Sequence, residues 1–154
     1  MSRALPTLDG RERPVNVVVL LREAYVALND RAIVRLTERG HAVIRPAHGA
    51  VFQHIDDTGT PVARLAERAQ MTKQAMAELV LHLEEHGYVR RDPDPSDRRA
   101  KLVIPTAKGM KVFALMRELV PEIEQDVDEL LGPRRAAALR RDLETLRSAA
   151  APPA

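Results

Sequence analysis

The stretch that decides the fold spans residues 60–87 and reads TPVARLAERAQMTKQAMAELVLHLEEHG. Thr60-Pro61 has the pattern of a helix start, a capping hydroxyl followed by a proline in the first turn, and predicts a helix over 61–69. Thr72 is a second cap and predicts a helix over 72–86, which Gly87 ends. Two short helices joined by so tight a turn must cross steeply, which is the arrangement of a helix-turn-helix.

The residues that follow change from helical to alternating periodicity. Short strands are predicted at 88–91 and 101–104, on either side of the turn-rich sequence DPDPSD at 92–97. Together they form a two-stranded β-hairpin whose tip carries Arg98 and Arg99. A helix-turn-helix followed directly by a basic hairpin predicts a winged-helix lobe over residues 46–105.

Helices are predicted on both sides of this lobe. Pro14 suits the first turn of a helix over 14–39, and Pro46 begins a shorter one over 46–55. Thr106 suits the cap of a helix that runs to about residue 131 with a kink at Pro121, and a last helix follows over 133–147. Residues 148–154 are rich in Ala and Pro and are expected to be disordered. The predicted fold class is mainly α, a winged helix-turn-helix with N- and C-terminal helices.

The composition excludes several classes of protein. The 154 residues contain no cysteine, which rules out disulfide scaffolds, thiolate metal sites and thiol redox switches. The longest apolar run, residues 17–21, is far shorter than the roughly 20 residues that span a bilayer. The N-terminal residues lack the pattern of a signal peptide. We therefore expect a cytoplasmic protein with no membrane association.

Charge is concentrated in one part of the chain. The formal net charge is only +2. Residues 88–111, however, contain seven Lys or Arg against three Asp. A basic patch in an otherwise balanced chain predicts a polyanionic partner, although a solvated loop would have the same composition.

Two groups of side chains are candidates for contact with DNA. Thr72, Lys73 and Gln74 in the first turn of the 72–86 helix offer groups that reach phosphates and base edges. An ordinary polar turn on a surface helix is the alternative. The basic residues of the hairpin are Arg90, Arg91, Arg98, Arg99 and Lys101. Arginine on such a ribbon can enter a narrow minor groove, and the alternative is a hairpin edge protected by charge.

The sequence HLEEH at 82–86 fits the His-x-x-Glu-His pattern of one class of zinc peptidases. His82 and His86 could share a metal with Glu85 as the base, so a zinc-dependent hydrolase is an alternative function. The helix already has a role in the helix-turn-helix, and the sequence offers no obvious third ligand or substrate domain. We therefore expect polar surface histidines here, with no enzyme activity, no metal and no cofactor.

Residues 47–109 resemble the multiple antibiotic resistance regulator (MarR) family of bacterial transcription factors. The strongest likeness is DRRAKLVIPTAKG at 97–109, which is similar to the family's wing signature of Asp-x-Arg, a strand and a Thr-x-x-Gly helix start. Residues 71–76 and 83–89 resemble the recognition helix and its passage into the wing. The chain departs from the family inside that helix, where many members have Ser or Thr followed by Arg and this chain has Ala77 and Glu78.

The resemblance implies a sequence-specific transcriptional regulator, a repressor that binds double-stranded DNA at a pseudo-palindromic operator. Half-sites would lie about one helical turn apart. Arg99 would enter the minor groove, held by an ion pair with Asp97, while residues 72–74 read the major groove. A winged helix used only for protein contacts is an alternative, and in that case removing the charges of Arg98 and Arg99 would leave binding untouched.

The resemblance also implies a homodimer formed by the helices at 14–39 and 106–147. Their apolar stripes agree, because a lobe of this size cannot cover them all. Packing of the stripes within one chain is the alternative. The residues expected at the dimer interface are Val17, Leu21, Val112, Leu115, Leu119, Ile123 and Val127.

Members of the family often bind small anionic aromatic ligands between the dimer helices and the lobe. Such an effector would spread the lobes and release the DNA. In this chain the crevice would involve the first, second and fifth helices. The candidate contacts are Tyr25, Arg45, His48 and His54, each of which an ordinary packing or surface role would explain equally well.

Overall fold

The computed structural model describes residues 7–8, 10–12, 15–97 and 99–149. The elements in chain order are β1 (Thr7–Leu8), β2 (Arg11–Glu12), α1 (Val17–Glu38), a 3-10 turn (Pro46–His48), α2 (Gly49–Phe52), β3 (Thr60–Pro61), α3 (Val62–Arg68), α4 (Lys73–Glu85), β4 (Val89–Pro93), β5 (Lys101–Pro105), α5 (Ala107–Leu131) and α6 (Pro133–Ala149). This order confirms the predicted fold class, a mainly helical winged helix-turn-helix. No helix within the described ranges combines the length and the hydropathy that a membrane-spanning segment needs.

Local capping chemistry sets most helix starts. The side chains of Thr72 and Thr106 each accept a hydrogen bond from the amide three residues later, at 3.2 Å, as predicted. The cap of α1 is Asn16, so this helix begins three residues later than Pro14 suggested, and Pro14 lies outside the described residues. The helix expected over 46–55 is shorter, and α6 continues to Ala149. Residues 150–154 also lie outside the described ranges.

The helix predicted over 61–69 is confirmed as α3 over Val62–Arg68, but the hydroxyl cap predicted at Thr60-Pro61 is wrong. These residues form β3, the outer strand of a three-stranded antiparallel sheet with the order β3-β5-β4, in which Thr60 pairs with Val103. The Thr60 hydroxyl accepts from the Asp56 amide at 2.9 Å and donates to the Asp56 carboxylate at 3.1 Å. That hydroxyl therefore fixes the preceding turn, and Pro61, with extended backbone, precedes α3 without a side-chain cap.

The core fills the space between the helix-turn-helix, the sheet and the ends of α1 and α5. The residues with the least exposed side chains, below 2% of their maximum, include Leu36, Ile44, Val51, Leu65, Met76, Val80, Leu83, Tyr88, Val103 and Val112. The Phe52 ring meets Phe113 edge to face, with centroids 5.3 Å apart. Because α4 buries Met76, Val80 and Leu83, its first turn and its opposite face point outward.

Helices α1 and α5 pack together through ion pairs and through the core. Arg35 lies 2.8 Å from Asp126, and Arg39 lies 2.6 Å from Glu122. The Arg35 guanidinium holds the pKa of the Asp126 carboxyl below its ordinary value, chiefly by this hydrogen bond. These contacts fix the long helices relative to each other within one chain.

Two of the residues expected at a dimer interface are core residues instead. Val112 is completely buried and Leu119 is 2% exposed within the single chain, so neither is available to a partner. For Val112 and Leu119 the alternative, packing within one chain, is therefore correct. Val17 and Leu21 are 62% and 38% exposed. The remaining three, Leu115, Ile123 and Val127, are partly buried.

Candidate nucleic-acid interface

The first turn of α4 presents the three side chains that the sequence singled out. Lys73 and Gln74 are exposed, and neither makes a side-chain hydrogen bond or ion pair to any part of the chain that the structure describes. The Thr72 oxygen accepts from the amide of Ala75, which leaves its hydroxyl proton free to donate. Helix propensity and capping thus place a cation, an amide and a hydroxyl together at one exposed helix end. Such groups can bind phosphates and base edges.

The two positions at which the chain departs from the family's pattern have different environments. Ala77 is partly buried, and Glu78 is exposed one turn after Gln74. An exposed carboxylate repels phosphate, but it can accept a hydrogen bond from the amino group of cytosine. Glu78 therefore adds a negative charge next to the polar first turn of α4.

Two of the candidate arginines on the wing already have acidic partners. The Arg90 guanidinium lies 3.0 Å from the Asp92 carboxylate within β4. Arg91 lies 3.1 Å from Glu84 and links the wing to α4. These pairs offset part of the positive charge of Arg90 and Arg91, and the Arg91 pair fixes the orientation of the wing against α4.

The wing loop holds Arg99 by its backbone rather than by the expected ion pair with Asp97. A carboxylate oxygen of Asp97 accepts from the Arg99 amide at 3.0 Å, and the Asp97 carbonyl accepts from the Ala100 amide at 2.9 Å. The guanidinium of Arg99 and the ammonium of Lys101 are exposed, with no carboxylate of a described residue within 4 Å. The third cation of this loop, Arg98, lies outside the described residues.

Two contacts that sequence reasoning missed join the start of α5 to the end of α4. The Thr106 hydroxyl donates to the Gly87 carbonyl at 2.6 Å. Lys108 donates to the His86 carbonyl at 2.9 Å, and its ammonium lies 4.3 Å from the centre of the Tyr88 ring. The Thr-x-x-Gly motif was the signal for the first contact. Together they connect the wing, α4 and the long helix α5.

The residues of the His-x-x-Glu-His motif lie at the opposite end of α4 from the first turn. His86 and Glu85 are exposed, but His82 is partly buried, with its ring stacked on that of His48 at 4.9 Å. The expectation of plain surface histidines is therefore wrong for His82. One ligand atom from each residue of the motif lies within 4.8 Å of the others.

A cleft of about 350 Å³ lies between α1, α2 and α5, where an effector crevice was expected. Its lining includes Ile33, Met116 and Ile123, with Asn29, Gln53 and Glu124 as polar groups. None of the four candidate contacts, Tyr25, Arg45, His48 and His54, lines this cleft. His48 is buried, while Tyr25 and Arg45 are exposed elsewhere. The family resemblance implied a crevice between these helices, but the four residues chosen as its contacts do not line the cleft.

Comparison with known proteins gives the same fold. The model of the MarR family matches residues 44–100. The transcriptional regulator HosA of Escherichia coli O111:H- is 30% identical over 82 residues, which are 53% of this chain and 61% of that protein. The aligned part of the chain thus spans about three fifths of the length of this curated relative.

Solved structures cover more of the chain. The reduced form of MarR from E. coli has a TM-score of 0.76 and 17% identity, covering 88% of this chain and 98% of that one. The transcriptional repressor CouR, bound to a 23-mer DNA duplex, has a TM-score of 0.68 and 23% identity, covering 86% and 92%. At these identities the likeness establishes the fold over the 86–88% of the chain that it covers.

Proposed function

We propose that the chain is a winged-helix regulator of the MarR family, whose model matches residues 44–100, and that it binds double-stranded DNA and regulates transcription. The observation that carries the proposal is that two exposed segments each present a cation, Lys73 in the first turn of α4 and Arg99 in the wing loop. Thr72, Lys73 and Gln74 enter the major groove in this account, and Arg99 enters the adjacent minor groove. Winged-helix lobes divide the two grooves in this way when helix and wing contact one face of the duplex.

Some basic residues of the wing form ion pairs with carboxylates and others do not, and we assign these two groups different roles. Arg90 and Arg91 are partly neutralised by Asp92 and Glu84, so we assign them to orienting the wing. Arg99 and Lys101 carry charge that no described carboxylate offsets. Neutralisation of phosphates by such free cations supplies most of the affinity of proteins for DNA.

The functional unit in this proposal is a homodimer. Apolar side chains remain exposed along α1 and α6, and a second copy of the chain would cover them. These residues, which we call the α1/α6 apolar face, are Val17, Leu21, Tyr25, Leu139, Leu143 and Leu146, each 38–62% exposed. Two lobes related by a two-fold axis would contact a pseudo-palindromic operator and act as a repressor by blocking it.

Release by an effector is a further part of the proposal. The cleft is lined by α1, which carries part of the exposed apolar surface, and by α2 and α5, which contribute residues to the core of the lobe. A small ligand that prefers one spacing of these elements shifts the population of lobe arrangements and so changes the affinity for DNA. The apolar lining with a few amides suits a largely apolar small molecule. We place the protein in the cytoplasm, with its DNA.

The experiment that tests the DNA-binding proposal is a titration of duplex DNA at several salt concentrations. Log affinity should fall linearly with log salt, because each phosphate contact releases condensed counterions. A salt-independent affinity would contradict the proposal and favour a winged helix that binds proteins.

A further inference from the structure

Three side chains near the end of α4 lie close enough together to bind one metal ion. His82, Glu85 and His86 occupy positions i, i+3 and i+4, which a helix places on one face. One ligand atom from each lies within 4.8 Å of the other two. Separations of this size can close to metal–ligand distances by small changes of side-chain torsion.

A hydrogen bond to the backbone orients the His86 ring for metal binding. Its Nδ1 lies 2.8 Å from the carbonyl oxygen of His82. Because a carbonyl oxygen only accepts, Nδ1 must carry a proton, and in the neutral ring Nε2 therefore keeps a free lone pair. Histidines that bind metals are usually oriented in this way, by donating their other N–H to a carbonyl or carboxylate.

His82 supplies the second nitrogen. Its Nε2 is buried and has no hydrogen-bond partner among the described residues. A buried polar atom without a partner is rare in folded proteins, and a metal ion would satisfy it. This unpaired nitrogen is an observation independent of the sequence motif.

His48 stacks on His82 but is not a ligand. The two rings are nearly parallel, at 9°, with centroids 4.9 Å apart. The Nδ1 atom of His48 accepts from the amide of Arg45 at 2.9 Å, so the neutral ring carries its proton on Nε2 and has no free lone pair. The ring of His48 therefore holds His82 in place from the side of the 3-10 turn.

We propose that His82, Glu85 and His86 form a binding site for a divalent transition metal, with Zn²⁺ as the ion that two imidazoles and a carboxylate suit best. Water completes the coordination. The ion would tie together the last turn of α4 and its cap, where the chain turns at Gly87 into the wing. This site requires no catalytic step, and it stands whether or not the chain binds DNA.

The test is a Zn²⁺ titration of the untagged protein in competition with a chromophoric chelator. We expect one Zn²⁺ per chain, and an affinity at least about tenfold weaker in His86→Gln and in Glu85→Gln. His54→Gln is the matched control, because His54 is a partly buried histidine outside the cluster, and it should bind as the wild type does. A wild-type protein that takes up no Zn²⁺, or variants that retain full affinity, would overturn the proposal.

A second readout separates loss of the site from loss of the fold. A ligand that binds the native state raises Tm. At one fixed Zn²⁺ concentration the metal should therefore raise the Tm of the wild type and of His54→Gln clearly more than that of Glu85→Gln, whose side chain is exposed and whose metal-free Tm should match the wild type. An equal rise of Tm in all three proteins would place the metal elsewhere and contradict the assignment.

Discussion

The backbone carbonyl of Tyr88 occupies the space that a Cβ atom on residue 109 would need, so Gly109 is the residue that lets α5 approach the end of the helix-turn-helix. The Thr106 hydroxyl completes this junction by donating to the Gly87 carbonyl and accepting from the Gly109 amide. The Thr-x-x-Gly motif thus allows the start of α5 to pack closely against the end of the helix-turn-helix.

Gly109→Ala should destabilise the protein by about 1–3 kcal/mol, since the added methyl group meets backbone that cannot move aside cheaply. Chemical denaturation followed by circular dichroism would measure the change. Gly49→Ala is the control, because Gly49 is helical and its nearest neighbour is a flexible Gln53 side chain at 4.0 Å. That change should be neutral or stabilising by about 0.4–1 kcal/mol. Equal effects at the two positions would contradict the close approach.

Arg99→Ala should weaken operator binding by about 1–3 kcal/mol, because an exposed guanidinium on the wing loop is removed. Fluorescence anisotropy at fixed salt would measure it. Arg117→Ala removes the same charge from an exposed position in the middle of α5 and should leave affinity nearly unchanged. If both variants lose affinity equally, Arg99 acts only through net charge.

Leu143→Asp should dissociate the homodimer. Leu143 is 39% exposed on α6 and lines a groove shared with α1 and α5, so the substitution puts a carboxylate into the α1/α6 apolar face without opening the core. Sedimentation velocity would show a shift to monomer, accompanied by loss of operator binding. Met110→Asp, at a side chain 46% exposed near the start of α5, is the control and should stay dimeric. A dimeric Leu143→Asp would place the interface on another surface.

The stability of the protein should fall as the pH drops below about 6.5. His41 is buried, and its Nδ1 lies 3.0 Å from the Tyr88 hydroxyl. Burial, and then the charges of Lys108 and Lys111, lower the pKa of His41 below its ordinary value. At this residue the unfolded chain therefore takes up a proton at higher pH than the native chain, so the contribution of His41 to the free energy of unfolding decreases on acidification and is constant above the unfolded pKa.

His41→Gln should flatten this pH dependence, measured by denaturation in metal-free buffer. It will not remove it, because burial also lowers the pKa of His48 to about 4. His54→Gln should leave the pH dependence as in the wild type. An unchanged slope in His41→Gln would show that His41 does not contribute.

The sequence predicted the features that short-range chemistry decides. Thr72 and Thr106 cap α4 and α5 because their hydroxyls reach an amide only three residues away. Thr60-Pro61 has the same local pattern, but pairing with β5, more than forty residues later, decides its conformation. Secondary-structure propensity, which depends on neighbouring residues in the sequence, cannot predict such a long-range contact.

The same limit explains the errors at the candidate sites. The apolar period of α5 predicts that Val112 and Leu119 are buried, but periodicity does not say whether the neighbouring surface belongs to the same chain. The acidic partners of Arg91 and the stacking of His48 on His82 likewise depend on elements brought together only by folding. The sequence shows which residues of the wing are cationic, but only the tertiary structure shows which of the described ones form ion pairs with carboxylates.

The most direct test of the central claim is a selection of bound sequences from random duplex DNA, run in parallel with the wild type, Arg99→Ala and Arg117→Ala. The account predicts an inverted repeat enriched by the wild type and by Arg117→Ala, with half-sites about one helical turn apart, and much weaker enrichment by Arg99→Ala. No enriched sequence at low salt, or the same enrichment with all three proteins, would contradict a dimeric winged helix that contacts DNA through its wing.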